Sequence, residues 1–170
     1  SSGGSTGEGA LLSDAELRQV VEDWNDTEAD AADVPWPALF AERVATTPHA
    51  VAVVAGDEEV TYEELDQRAS RLAAVLAARG VGPESIAAVM MERSAGLVVA
   101  LLAVWKAGGA YLPLDPTYPA DRIGFMLADA APVCVVTTGE MARTVPSGGT
   151  VPVLCVDDPA VVTELTAADV

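Results

Sequence analysis

Few residues in this chain have the types and spacing for chemistry. Ser2-Gly3-Gly4-Ser5-Thr6-Gly7-Glu8-Gly9 has the composition of a loop that wraps a phosphate in backbone N–H groups. Such a loop needs a preceding strand to hold it rigid and usually a lysine to meet the charge. No strand pattern stands before it, and Glu8 occupies the place of the lysine. With nothing apolar to bury from Ser1 to Gly9, residues 1–10 are expected to be a disordered Gly/Ser-rich linker. His49, the only histidine, follows Pro48 without a cysteine or acid at ligand spacing, which makes it a surface residue rather than a base or a metal ligand. Cys134 and Cys155, the only cysteines, sit in the apolar runs Val133 to Val136 and Val151 to Val156, so buried free thiols are expected. Lys106, the only lysine, stands at the end of an apolar helix, where a cation stabilises the dipole. These patterns assign no catalytic, cofactor-binding or metal-ligating residue.

The elements that would position a site are organised around residues 105–119. Upstream, Ala95 to Trp105 is apolar enough for a core helix and shorter than the roughly 18 residues a membrane span needs. Gly108-Gly109 ends that helix, with Gly109 expected at φ > 0 in the turn. Ala110 to Leu114 reads as a short buried strand, and Asp115-Pro116 and Tyr118-Pro119 stop it.

Around this unit the pattern alternates. Ser13-Asp14-Ala15-Glu16 is a capping-box pattern opening a helix to about Trp24, with Leu17, Val20, Val21 and Trp24 on one face. An acidic connector, Glu28 to Val34, follows, then a helix from Pro37 to Thr46 with Leu39, Phe40 and Val44 inward. Val51 to Val54 and Glu59 to Val60 flank a hairpin turn. Thr61 caps the next helix with Glu64 completing the box, Leu65, Ala69, Leu72 and Leu76 form its stripe, and Gly80 ends it. From Ile86 the order is strand (to Met91), helix, strand, helix (Ala120 to Ala130), strand (Val133 to Thr137), a Gly/Pro/Ser loop, and strand (Val151 to Val156). The expected class is therefore α/β, a partial doubly wound, mostly parallel sheet with flanking helices. Ligands in such folds bind at the carboxyl ends of the strands. Those ends carry Glu92-Arg93, Asp115, Thr137-Thr138 and Asp157-Asp158, which suit a site only if further strands supply the rest.

Twenty-six acidic residues against nine basic ones give a net charge of −17, which argues against nucleic acid, anionic membrane surfaces and acidic partners. No charged-then-apolar leader opens the sequence, so a cytoplasmic protein is expected.

Lys106-Ala107-Gly108-Gly109-Ala110-Tyr111-Leu112-Pro113-Leu114-Asp115 resembles the second core motif of the adenylation domains of nonribosomal peptide synthetases. Val60-Thr61-Tyr62-Glu63-Glu64-Leu65 resembles the first, at the expected distance upstream. The resemblance runs from about Leu11 to Thr138, and Trp24-Asn25-Asp26-Thr27 is similar to a linker following a condensation domain. It implies residues 11–34 as an inter-domain linker with a short helix, and 35–170 as the N-terminal portion of an adenylate-forming enzyme fold. The complete domain would use ATP and Mg2+ to make aminoacyl-AMP and load it onto phosphopantetheine of a carrier-protein domain. Implied partners are the remainder of the adenylation domain, that carrier domain, an upstream condensation domain and an MbtH-like activator. This stretch, without the ATP-binding loop, is expected to be inactive alone. Two other readings stand beside this one: part of an acyl-CoA or aryl-acid ligase of the same superfamily, and a non-catalytic half-domain scaffold such as the first part of an interrupted adenylation domain.

Overall fold

The computed structural model describes residues 13–25, 36–146 and 150–168. The Gly/Ser stretch 1–10 and the acidic connector lie outside the described residues. The chain divides into two compact units, 1–34 and 35–170. In the first, Ser13 and Glu16 form the expected reciprocal capping box at the start of α1 (Asp14–Val21). The helix ends three residues earlier than the apolar spacing predicted, giving way to a 3-10 turn at Asp23–Asn25. Leu17 and Trp24 of its apolar face are exposed.

The second unit opens with α2 (Trp36–Thr46). Phe40 is buried and Val44 packs on the core, but Leu39, expected inward, is exposed. One residue beyond Phe40 or one before it turns about 100° away on a helix, so three near neighbours cannot all face one core. An antiparallel hairpin follows, β1 (Val51–Ala55) and β2 (Glu58–Thr61), closed by a two-residue turn in which Gly56 takes φ +62°. Thr61 caps α3 (Tyr62–Ala78) in a second full capping box, and Leu65, Ala69, Leu72 and Leu76 are all buried along it.

The sheet is four-stranded and wholly parallel, in the order β4-β3-β5-β6, from β3 (Ile86–Met90), β4 (Ala110–Pro113), β5 (Cys134–Thr137) and β6 (Val153–Cys155). Alternation along the strands divides the core into two clusters. Ala87, Val89, Cys134, Val136 and Leu154 face α3 and α4 (Ala95–Lys106). Ala88, Met90 and Val135 face the opposite way, toward Ile123 and Leu127 of α5 (Ala120–Ala130). Helix α6 (Pro159–Ala167) returns to the α3 side.

Three expectations are corrected here. Positive φ in the helix-to-strand turn belongs to Gly108, at +86°, not to Gly109. Gly109 is needed for space instead, since a Cβ there would meet Val81 Cγ1 at 2.8 Å. β4, expected to be buried, is an edge strand with Ala110 and Pro113 exposed and Tyr111 and Leu112 half-buried. Cys155 is half-buried rather than buried, while Cys134 is buried, and both are free thiols.

Candidate functional site

The carboxyl ends of the strands form a continuous rim. After β3 the chain turns through Glu92-Arg93-Ser94, and Ser94 then caps α4 by accepting the Leu97 N–H at 3.2 Å. β4 runs out at Asp115, whose carboxylate accepts the Thr117 N–H at 2.9 Å and the Thr117 hydroxyl at 2.7 Å. These two bonds, in that order, and the nearby Arg93 charge hold the Asp115 carboxyl below the usual aspartate range. At the end of β5, the buried Thr137 hydroxyl donates to the Met90 carbonyl at 2.6 Å, binding β5 to β3 beyond the ladder. Beyond β6, Asp157 accepts the Gly139 N–H at 2.7 Å and fastens the loop after β5.

Two hollows open along this rim. One of about 560 Å³ lies between the ends of β3 and β4, lined by Met91, Arg93, Leu97, Asp115 and Tyr118 among others. The other, about 280 Å³, lies toward β5 and β6, lined by Glu92, Arg93, Thr138, Glu140 and Asp157. Arg93 borders both. Arg122 stacks over the Tyr118 ring at 4.1 Å and stiffens the β4–α5 turn beside the larger hollow. The fold thus gathers Glu92-Arg93, Asp115, Thr138 and Asp157 at one end of the sheet, as the strand order predicts.

The other candidate residues lie elsewhere. Lys106 reaches from the end of α4 to Asp66 and Ser70 of α3, at 2.7 and 2.8 Å. His49 is exposed and stands 3.4 Å from Glu63. Burial raises the Cys134 thiol above its ordinary value, and burial with Asp157 and Asp158 raises that of Cys155, so neither is a ready thiolate. Among the described residues no three His, Cys, Asp or Glu side chains gather in a way that could hold a metal ion. No described helix is long and apolar enough to cross a membrane. The rim can orient a neighbouring segment or ligand, and its described residues include no hydrogen-bonded nucleophile–base pair. Sequence reading missed α6 and the 3-10 turn Met141–Thr144 that walls the smaller hollow. The signal for α6 was present, as Asp158 caps the Ala160 N–H and Pro159 takes the first helical position.

Comparison with known proteins agrees with this geometry. The family model described as AMP-binding enzyme matches residues 40–169. The dimodular nonribosomal peptide synthase of Bacillus subtilis (strain 168) is 43% identical over 155 residues, covering 91% of this chain and 6% of that protein. The AMPPNP-bound form of the nonribosomal peptide synthetase FmoA3 superposes with a TM-score of 0.72 at 33% identity, over 83% of this chain and 15% of that one. A four-domain nonribosomal peptide synthetase, holo-AB3403 bound to AMP and glycine, superposes with a TM-score of 0.69 at 29% identity, over 76% and 10%. The chain therefore spans a small part of the length of the relatives it matches. With the family model covering most of its residues and solved peptide-synthetase structures superposing on most of it, the chain belongs to the AMP-binding enzyme family, among the adenylation domains of nonribosomal peptide synthetases.

Proposed function

We propose that residues 35–170 supply the first parallel strands of an adenylation domain that activates an amino acid with ATP to aminoacyl-AMP, for loading onto the phosphopantetheine of a carrier domain. The observation that carries this reading is the β3–α4–β4 unit. The stretch resembling the second core motif lies at its turn, within an alignment to a peptide synthase covering 91% of this chain. FmoA3 in complex with AMPPNP and holo-AB3403 with AMP and glycine support an adenine nucleotide and an amino acid as the substrates of the complete domain. In the same reading, Mg2+ accompanies the triphosphate, the protein works in the cytoplasm, residues 1–10 are a linker and residues 11–34 join an upstream condensation domain. An MbtH-like activator is a further partner of the assembled protein.

The described residues do not by themselves fit a triphosphate or its metal ion. Arg93 borders both hollows, and it shares their lining with the acidic Glu92, Asp115 and Asp157. Phosphate recognition needs several cationic or backbone donors around the anion. No reaction step is therefore assigned to these side chains; their part is to build the floor on which the rest of the domain stands.

The test is co-production of this chain with the remainder of its parent polypeptide, followed by pyrophosphate exchange across a panel of amino acids and aryl acids. Exchange with one or a few amino acids by the pair, and none by the 170 residues alone, is the expected result. Exchange only with aryl acids would move the substrate class to the aryl-acid ligases. Exchange with no acid would leave the scaffold reading in its place.

A further inference from the structure

A third hollow, of about 250 Å³, opens where α3, α4 and α6 meet, and it shares no lining residue with the two at the strand ends. Arg68, Arg71 and Leu72 reach it from one face of α3, because residues three and four apart on a helix lie side by side. Val99 of α4, Val156 after β6 and Leu165 of α6 complete an aliphatic floor that belongs to the α3 side of the core. The walls are fixed to one another. Glu164 of α6 accepts from Arg79 of α3 at 2.7 Å, and Val161, one turn earlier, is buried in the same core.

The charge here runs against that of the chain. The net charge is −17, yet two of the nine basic residues line this hollow and no acid does. Acids line both hollows at the strand ends. The two arginines are not equivalent. Arg68 gives its Nη1 to Glu58 at 2.8 Å, so its charge is already matched. Arg71 has no ion-pair or hydrogen-bond partner among the described residues. One unmatched guanidinium beside an aliphatic floor fits one negative charge on an aliphatic body. A dianion would bring more charge than the site answers, and a neutral chain would leave Arg71 unanswered. The planar fork of a guanidinium meets both oxygens of a carboxylate. The volume is about that of eight waters at roughly 30 Å³ each, which gives room for a chain of medium length.

We infer that the hollow between α3, α4 and α6 binds an aliphatic monocarboxylate, its chain against Leu72, Val99, Val156 and Leu165 and its carboxylate accepting from Arg71. Arg68 completes the cationic side. The site is built from this chain's own residues and stands whatever acid the complete domain activates.

Octanoate titrated into the 170-residue chain and into the full adenylation polypeptide, followed by methyl NMR, tests it. The Leu72, Val99 and Leu165 methyls should shift together in both proteins and saturate by about 1 mM. Octanol, with the same chain and no charge, should bind about tenfold more weakly, and octylamine should not bind. Arg71 is exposed, so Arg71→Gln should leave the fold intact, weaken octanoate about tenfold and leave octanol as it was, a pattern that unfolding would not produce. Equal binding of octanol and octanoate, or octanoate binding unchanged in Arg71→Gln, would overturn the inference, because the hollow would then be an apolar crevice that does not read the anion. So would shifts centred on Val51, Val54 and Val153, which are exposed apolar side chains elsewhere. A response in the 170-residue chain that is absent from the full polypeptide would overturn it too, by showing a surface that the rest of the protein covers. Pyrophosphate exchange by the full polypeptide reports separately on the functional reading, so the failure of either is read without the other.

Discussion

The Lys106 ammonium stands 2.7 Å from the Asp66 carboxylate and donates to the Ser70 hydroxyl at 2.8 Å, tying the last turn of α4 to the first half of α3. Both ionic side chains are about 30% exposed, so the pair is neither fully screened nor dry. The two helices pack against each other, and the lysine closes that contact at the end where β4 begins. Substituting Lys106→Ala or Asp66→Ala should lower stability. A double-mutant cycle should return a coupling of roughly 0.5–1 kcal/mol that shrinks in high salt. A coupling of zero at low ionic strength would mean that the contact adds nothing to the packing of α3 on α4.

The two glycines of the turn into β4 should fail for different reasons. Gly108 holds φ +86°, so Gly108→Ala should cost about 1 kcal/mol through backbone strain, and no change in its surroundings should recover it. Gly109 has no such angle, but a Cβ would collide with Val81 Cγ1. Gly109→Ala should therefore cost more than about 1 kcal/mol, and Val81→Ala should recover part of that loss. Thermal unfolding of the three single variants, and of Val81→Ala combined with each glycine variant, decides this. Recovery of Gly108→Ala, or none for Gly109→Ala, would reverse the assignment.

Thr61 and Glu64 make the fold sensitive to acid at one helix start. The Thr61 backbone N–H, and next its hydroxyl, bond the Glu64 carboxylate and hold it below the ordinary glutamate range. A carboxyl depressed on folding stabilises above its unfolded pKa, and that contribution is lost as pH falls through the lower folded value. Glu64→Gln keeps the bond to the cap and removes the titration, so the acid side of its stability profile should be flatter than that of the parent. Thr61→Ala should cost about 1 kcal/mol near neutral pH by removing the cap. Parallel acid limbs for parent and Glu64→Gln would show that the box is not a source of the pH dependence.

Thr137 is a buried polar side chain at the rim of the sheet, with its hydroxyl on the Met90 carbonyl. Thr137→Val preserves shape and withdraws the donor, so it should cost roughly 1–2 kcal/mol. Thr137→Ser keeps the donor and should recover most of the bond while losing a methyl. If Val is tolerated better than Ser, the methyl rather than the hydroxyl holds the end of β5.

The 170 residues produced alone should bind a hydrophobic dye, because Trp36, Leu39, Trp105, Phe125 and Val153 are exposed together with the β4 edge. Dye binding should fall when the rest of the adenylation polypeptide is present. Equal dye binding in both would show that these side chains are ordinary surface.

Local interactions made much of this molecule legible in its residues. Both capping boxes, the Gly56 turn, the buried stripe of α3 and the strand–helix alternation from Ile86 depend on partners within a few positions, and each formed as expected. The rim could be named in advance for the same reason, since a parallel sheet with helical crossovers puts every strand's carboxyl end on one side. The order β4-β3-β5-β6 and the edge position of β4 were decided by packing between residues far apart in sequence, which an apolar run such as Ala110 to Leu114 cannot express by itself. The same limit separates Gly108 from Gly109. Two adjacent glycines announce a turn, but only the arrival of Val81 from the loop after α3 shows which one supplies a backbone angle and which one supplies room.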